Sequence, residues 1–178
     1  MKFSLNESIA VLERTPTVLK AQLEGLTDDW LMQTYGSNTW SVHQVIGHLI
    51  WGERTDWVPR IKHILHLGET ESFVPFDRDG HAQLCKDSNT TELIEIFAGD
   101  RSRNLAELKQ LELTDADLEK TGIHPALGNV NLTQLIATWT VHDLNHVAQI
   151  NKAMAFQYSD SVGPWMQYLS ILAPPNPR

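Results

Sequence analysis

Cysteine is almost absent from this chain, since Cys85 is the only one in 178 residues. A single cysteine excludes an intrachain disulfide framework. Long apolar runs are missing as well, because no stretch reaches the roughly 18–20 residues that cross a bilayer. The first residues lack the charged-then-apolar layout of a signal peptide. We therefore expect a cytoplasmic protein with no membrane partner.

Positive charge is also scarce. The chain has 14 Lys and Arg against 22 Asp and Glu, which gives a formal net charge of −8. A protein that binds a phosphate backbone needs clustered basic residues, and the few here are scattered. The composition therefore predicts that nucleic acid is not a partner.

The pattern that is present is helical almost throughout. Apolar residues recur at spacings of three and four in the first 26 residues, which is typical of one buried helix face. Pro16 falls inside that stripe, so the first helix is expected to kink or restart there. We predict one domain over residues 1–173, followed by an unstructured tail at 174–178.

Three further long helices follow from capping signals and apolar spacing. Ser41 with Gln44 predicts the start of a second helix, which runs to about Leu67, bends at Pro59 and stops at Gly68. A long connection with one short helix precedes a third helix that starts near Thr90. A fourth helix opens with the capping signal at 131–134, after a loop over 122–129, and a short one follows at about 164–172. No strand is predicted.

Two histidines of the fourth helix, His142 and His146, stand four residues apart. Side chains at i and i+4 lie on one helix face, with Cβ atoms roughly 5–6 Å apart. Two imidazoles so placed can bind one metal ion, each at about 2.0–2.1 Å. At about 100° per residue, the pair shares a face with Leu135 and Trp139, and so points to the interior.

A third histidine, His48, comes from the second helix, at the edge of an apolar stripe. Cofactor sites in helix bundles are built from facing helices. Three histidines from two helices would leave an open coordination position, as catalytic rather than structural zinc sites do. Imidazole ligands do not select one ion, so the pattern predicts one divalent transition metal, which we give as Zn, Ni, Fe or Mn.

Each of these residues also has a plainer interpretation. The His-x-x-x-His spacing occurs by chance in buried histidines that hydrogen-bond to their neighbours. His43, on the first turn of its helix, is expected to be solvated. Cys85 is expected to be a half-buried bystander, because only Lys86 nearby would lower its pKa. Asp143 lies beside the histidine pair, which favours a salt bridge over ligation of a metal.

Several neighbours are candidates for holding the histidines or lining a substrate pocket. A metal-binding histidine needs its second ring nitrogen held, and two amides flank the pair. Small residues beside His48 leave room for a ligand, and two tryptophans lie about one turn from the histidines. The candidates are Gln149, Asn145, Trp51, Gly52, Thr55, Trp139 and the loop residue His124. No catalytic acid or base is apparent.

The residues around the histidines resemble a known family. Residues 40–49, with Glu53 after them, resemble the first histidine motif of the DinB/YfiT-like superfamily. Residues 128–135, followed by the histidine pair and Gln149, resemble its second motif. The likeness spans nearly the whole chain in the same order, although residues 69–89 match nothing useful.

The resemblance implies an all-α four-helix bundle of up-down-down-up type, with short extra helices. It implies a divalent metal bound by His48, His142 and His146, and often a homodimer. Members with known activity include thiol transferases and isomerases that use low-molecular-weight thiols such as bacillithiol or mycothiol. Related proteins are described as metal-dependent hydrolases, and many others have no established activity.

The sequence therefore favours a metal-dependent transferase that uses a low-molecular-weight thiol, or a hydrolase, acting on a small molecule. In the first case the metal holds a thiolate, and in the second it activates water at the same position. The alternative from another class is a non-enzymatic metal-binding or metal-stabilised interaction protein, which needs no acid or base. The plainest alternative is a bundle whose histidines bind nothing.

Overall fold

Capping residues set where the long helices of this chain begin. Three of the long helices start with a capping box, in which the N-cap side chain and the side chain three residues on each bond the other's backbone N–H. The pairs are Ser41–Gln44, Asn89–Glu92 and Asn131–Gln134. The starts predicted at Ser41, Thr90 and Asn131 are confirmed.

The computed structural model describes residues 1–173, and the predicted tail at 174–178 lies outside the described residues. Two short 3-10 helices, Gly163–Tyr168 and Ser170–Leu172, stand where a last short helix was predicted. The α-helices are α1 Leu5–Leu12, α2 Thr15–Leu23, α3 Asp28–Leu31, α4 Val42–Thr55, α5 Trp57–His66, α6 Ala82–Asp87, α7 Thr90–Gln110, α8 Asp115–Leu118 and α9 Leu132–Phe156.

Prolines divide two of the four predicted helices. Pro16 lies in the first turn of α2, where its missing N–H costs nothing, so the first helix restarts as predicted. The second helix was predicted to bend at Pro59, but it breaks at Asp56 instead. The ring of a proline clashes with the carbonyl four residues earlier, here that of Thr55, and α4 ends at that residue. Leu67 then caps α5, and Gly68 takes the left-handed φ of +57° that favours glycine.

Two short strands lie where a loop was predicted, so the expectation of no strand is wrong. β1, Thr121–His124, pairs antiparallel with β2, Gly128–Asn131. Each strand is four residues long and contains a glycine, which leaves little apolar alternation to read from the sequence. Gly122 is needed at this position, because a Cβ there would lie 2.9 Å from Ile64 Cγ1 and from the Phe73 ring.

Four helical segments pack together, which confirms the predicted all-α four-helix bundle with short extra helices. The segments are α1 with α2, α4 with α5, α7, and α9. Helix α4 packs on both α7 and α9, while α1 packs on α9 and α2 on α7. Within residues 1–173, no helix is long and apolar enough to span a membrane.

The core has two apolar clusters with a buried ion cluster between them. Leu12, Ile61 and Trp139 belong to one cluster, and Leu19, Ile46 and Phe97 belong to the other. The guanidinium of Arg101 lies between them, 4.9 Å from the Phe97 ring and 5.2 Å from the Trp139 ring. The core therefore carries a charged layer at the level where α4, α7 and α9 meet.

Candidate metal centre

Three histidines from two helices converge on one point. His48 of α4 lies with its Nε2 3.2 Å from His142 Nε2, and His146 Nε2 lies 3.1 Å from the same atom. All three nitrogens lie within 4.8 Å of one another. Nitrogens bound to one ion at about 2.0–2.1 Å in tetrahedral geometry are roughly 3.3 Å apart. The spacing of the three rings therefore fits a single divalent ion.

Local sequence explains how α4 brings His48 to this point. The capping box at Ser41 fixes the first turn of α4 and hence the direction of the side chains that follow. Gly47 lets α6 pack closely beside it, because a Cβ at Gly47 would lie 2.3 Å from Cys85 Sγ. The half-buried Cys85 is therefore a packing residue, and burial raises the pKa of its thiol.

Burial keeps the three imidazoles neutral. Burial, followed by repulsion from His146, His81 and Arg78, lowers the pKa of His48 to about 3. Burial and the two other histidines of the group lower the pKa of His142 to about 2. Burial also lowers the pKa of His146, against a hydrogen bond to Gln149 that raises it. Neutral rings offer lone pairs, which is the protonation state that a metal ligand requires.

The second ring nitrogens differ in how they are held. His146 Nδ1 lies 2.8 Å from Gln149 Oε1, so with Nε2 unprotonated the ring donates its Nδ1–H to that amide. Within the described residues, the buried Nδ1 atoms of His48 and His142 have no hydrogen-bond partner. Gln149 therefore orients one of the three rings, while packing alone holds the other two.

A buried ion cluster lies directly behind the histidine pair. Arg101 Nη1 donates to Asp143 Oδ2 at 2.6 Å, and its Nη2 donates to Glu53 Oε1 at 2.8 Å. Asn104 and Trp139 also donate to the Glu53 carboxylate. Asp143 thus forms the salt bridge predicted for it, and this bridge ties α9 to α7 beside His142.

The histidines open into a cavity of about 860 Å³. Of the pocket candidates, Gln149, Asn145, Gly52 and His124 line it. The aromatic side chains of Trp40, Trp57 and Phe76 form much of its wall, together with Tyr35 and Phe73. A cavity of this size accommodates a drug-sized molecule rather than water alone.

Three of the pocket candidates do not line this cavity. Trp139 is fully buried and stacks on Trp57 at 5.8 Å between ring centroids, so it supports the wall from behind. Trp51 packs against Gly80, where a Cβ would lie 2.3 Å from its ring. Thr55 is exposed and donates its hydroxyl to the Trp51 carbonyl. Their helix-wheel positions were compatible with the site, but Trp139 is buried in the core, Trp51 packs against Gly80 and Thr55 faces solvent.

Two other histidines differ from expectation. His43, predicted to be solvated, is buried, with Nδ1 2.9 Å from Thr90 Oγ1 and Nε2 2.9 Å from the Cys85 carbonyl oxygen. His81, which lies in the long connection predicted between the second and third helices and was not singled out, is buried at the start of α6, with its ring 5.9 Å from that of His48. His43 contacts α6 and His81 is its N-cap residue, and the sequence does not show which helix α6 packs on.

The sequence also missed several cavity residues. Trp40 packs on His48 at 4.7 Å between ring centroids, and Trp57 lies edge-on to His142 at 5.0 Å. Asp56, Arg60 and Arg78 bring charge into the cavity. Asp56 and Arg60 are four residues apart at the start of α5, and this spacing was the available signal for their ion pair.

Comparisons with known proteins agree on one family. A model of the DinB superfamily matches residues 11–150. "Putative metal-dependent hydrolase YfiT" of Bacillus subtilis is 30% identical over 154 residues, which cover 81% of this chain and 80% of that protein. "Putative metal-dependent hydrolase OB0782" of Oceanobacillus iheyensis is 28% identical over 147 residues, 82% of this chain and 83% of its own. The solved structure of B. subtilis YfiT superposes with a TM-score of 0.73 at 26% identity and covers 91% of both chains.

Proposed function

Because the chain belongs to the DinB superfamily, we propose that it is a metal-dependent enzyme that acts on a small molecule at a three-histidine centre. His48, His142 and His146 are the proposed ligands of one divalent transition metal. The observation that carries the proposal is the convergence of three neutral imidazole nitrogens at the wall of an open cavity. Structural zinc sites are closed by a fourth protein ligand, whereas this group leaves room for an exchangeable one.

The donor set fits such an ion in charge as well as in spacing. Three neutral ligands leave its double positive charge uncompensated, so when bound it lowers the pKa of a water or thiol ligand and polarises an acceptor. Imidazole suits zinc, nickel and iron alike, and Zn, Ni, Fe and Mn all remain candidates. The low pKa of His48 keeps its ring available to the ion over the whole physiological range.

The chain's own residues orient the reactants and exclude water. Gln149 holds the His146 ring through its Nδ1–H. Trp40 and Trp57 pack against His48 and His142 and remove bulk water from one side of the centre. Asn145 lines the cavity beside the histidines and offers an amide for hydrogen bonding to a substrate. These roles are the same whether the nucleophile is water or a thiol.

Hydrolysis is one form of the proposal, and the names of the relatives support it. The B. subtilis and O. iheyensis proteins are both named as metal-dependent hydrolases. A hydrolase of this kind adds water to an electrophilic carbon and needs a group that accepts a proton. Among residues 1–173, the carboxylates lining the cavity are Asp56 and Asp79, and Asp56 is already paired with Arg60.

Thiol transfer is the other form, and the scarcity of free carboxylates at the centre favours it. Glu53 and Asp143 lie near the histidines, but Arg101 engages both. A low-molecular-weight thiol bound as its thiolate attacks an electrophile without a separate base. The cavity of about 860 Å³ has room for the two small molecules that such a reaction brings together.

We include a homodimer and a cytoplasmic location in the proposal. Exposed apolar side chains on α9 and after it support self-association, since Leu144, Trp165 and Tyr168 are 54%, 70% and 73% exposed. Sedimentation of the purified protein gives its mass directly. A monomer at all concentrations would remove the dimer from the proposal and leave the metal centre unaffected.

An activity screen separates the forms of the proposal. Metal-loaded protein is offered a panel of small esters, amides and alkylating electrophiles, with and without a low-molecular-weight thiol such as cysteine. Turnover without thiol indicates hydrolysis, and turnover that requires thiol indicates transfer. His142→Ala should abolish either activity, while Gln110→Ala, on the exposed end of α7, should retain it. A metal that binds tightly but supports no turnover with any electrophile would favour the non-enzymatic alternative.

A further inference from the structure

Among residues 1–173, two arginines line the cavity, and one of them lacks a carboxylate partner. Arg60 is buried, with Nε 2.6 Å from Asp56 Oδ1. Arg78 is exposed, and within the same residues no carboxylate oxygen lies within 4.0 Å of its guanidinium. The cavity therefore presents one guanidinium that is in no ion pair within the described residues.

Arg78 is held next to the histidines by aromatic contacts. Its Cζ lies 5.7 Å from the centroid of the Trp40 ring, and that ring packs on His48 at 4.7 Å. His81 lies edge-on to Trp40 at 5.0 Å. The positive charge is close enough to contribute, after burial, to the lowered pKa of both His48 and His146. The contact with Trp40 therefore places the Arg78 side chain beside the centre.

We propose that Arg78 binds an oxyanion group of the substrate, a carboxylate in the first instance, and so makes the centre selective for anionic small molecules. This inference rests on the proposed function, since it assigns the substrate class of that same site. A guanidinium presents paired N–H donors whose fork matches a carboxylate or a phosphate. Its position beside Trp40 places such a group at the edge of the cavity, with the reacting bond at the histidines.

The balance of charge in the cavity supports an anion rather than a cation. Asp56 and Arg60 cancel each other, and Arg78 and Asp79 carry opposite charges. Three neutral imidazoles with a divalent ion add two positive charges, so the site as a whole attracts an anion. A substrate amine would have to bind at Asp79 against that field.

Two hydroxamates, only one of which carries a carboxylate, test this directly. Acetohydroxamate is a small metal chelator, and succinic monohydroxamate carries an additional carboxylate. Calorimetric titration of the zinc-loaded protein should give about fivefold tighter binding of the second probe. Arg78→Gln should remove this preference and leave the affinity for acetohydroxamate unchanged. Arg14→Gln, at an exposed arginine between α1 and α2, is the matched control and should keep the preference.

Two other results would overturn the role of Arg78, and a third would overturn the metal centre as well. Equal binding of the two hydroxamates to the wild type, or a preference that survives in Arg78→Gln, overturns the role of Arg78 and leaves the metal centre intact. A protein that binds neither zinc nor acetohydroxamate overturns the proposed function, and this inference with it. A third probe with a phosphonate in place of the carboxylate shows which oxyanion Arg78 prefers.

Discussion

At the scale of single residues, the histidine spacing carried most of the predictable information. The i, i+4 relation of His142 and His146 already places two imidazoles on one helix face. The partner on α4 is less determined by sequence, because it depends on how two helices face each other. His81 shows the limit, since it lies 5.9 Å from His48 although nothing in its local sequence distinguishes it from a solvated loop residue.

Removing the hydrogen bond from Gln149 should weaken metal binding. In Gln149→Leu the side chain keeps a similar volume but no longer accepts the Nδ1–H of His146. Loss of such an outer partner typically reduces metal affinity about 10–100-fold. Competition with a chromophoric zinc chelator measures the change. Gln110→Leu is the matched control, and an unchanged affinity in Gln149→Leu would show that packing alone orients His146.

Arg101 should matter for stability far more than its neighbour Arg103. Arg101 has 2% of its side chain exposed and engages Glu53 and Asp143, whereas Arg103 is 72% exposed. Arg101→Met leaves two buried carboxylates uncompensated, which should cost roughly 3–5 kcal/mol of unfolding free energy. Arg103→Met should cost less than about 1 kcal/mol. Urea denaturation of the metal-free proteins gives both values, and equal losses would contradict the buried cluster.

The unfolding free energy that Arg101→Met loses relative to wild type should become smaller as the pH falls. Burial raises the pKa of Glu53, and Arg101 opposes that effect in the wild type. Without Arg101 the folded-state pKa rises further above the unfolded value, so the folded variant takes up a proton that the unfolded chain does not. Protonation relieves the buried charge, and the difference from wild type should therefore be smaller at pH 5 than at pH 8. A difference that grows towards low pH would contradict this.

At the scale of elements, helix starts were predictable and helix ends near proline were not. Capping boxes are local, so Ser41 and Asn131 could be recognised from a few letters. The break at Asp56 changes which residues of α5 face the cavity. On an unbroken α4, Trp57 would lie roughly 180° from His48, whereas the break turns it into the cavity. This is why Trp57 was missed.

Gly47 should tolerate no side chain, because it sets the distance between α4 and α6. A Cβ there would lie 2.3 Å from Cys85 Sγ. Gly47→Ala should therefore destabilise the protein by roughly 1–3 kcal/mol, although alanine is the better helix former. At Gly99 of α7 the nearest atom is Arg103 Nη1 at 3.7 Å, so Gly99→Ala should stabilise by about 0.5–1 kcal/mol.

A double variant identifies the cause of the Gly47 effect. In Gly47→Ala/Cys85→Ala the sulfur that blocks the new methyl group is gone, so much of the loss should be recovered. Thermal and urea unfolding of Gly47→Ala, of Cys85→Ala and of the double variant give the coupling energy between the two positions. Additive losses would show that the contact between Gly47 and Cys85 does not limit the packing of α6.

At the scale of the whole molecule, the proposed metal would connect two of the four helical segments. His48 belongs to α4, and His142 and His146 belong to α9. An ion bound by both helices binds the folded state and not the unfolded chain. It should therefore raise stability by about 2.7 kcal/mol at a free concentration of 100 times its Kd. Arg78 and Phe76 lie on the long connection between α5 and α7. This connection lines the cavity only through tertiary packing, so no sequence motif predicts its place there.

Metal content is the first measurement to make on the proposed three-histidine centre. Tag-free protein, purified without a nickel column, is analysed by elemental mass spectrometry alongside His142→Ala, whose circular dichroism shows whether it remains folded. We expect close to one equivalent of a divalent transition metal per wild-type chain, and its loss in the folded variant. Wild-type protein without metal that also takes up none of Zn, Ni, Fe or Mn would rule out the three-histidine centre.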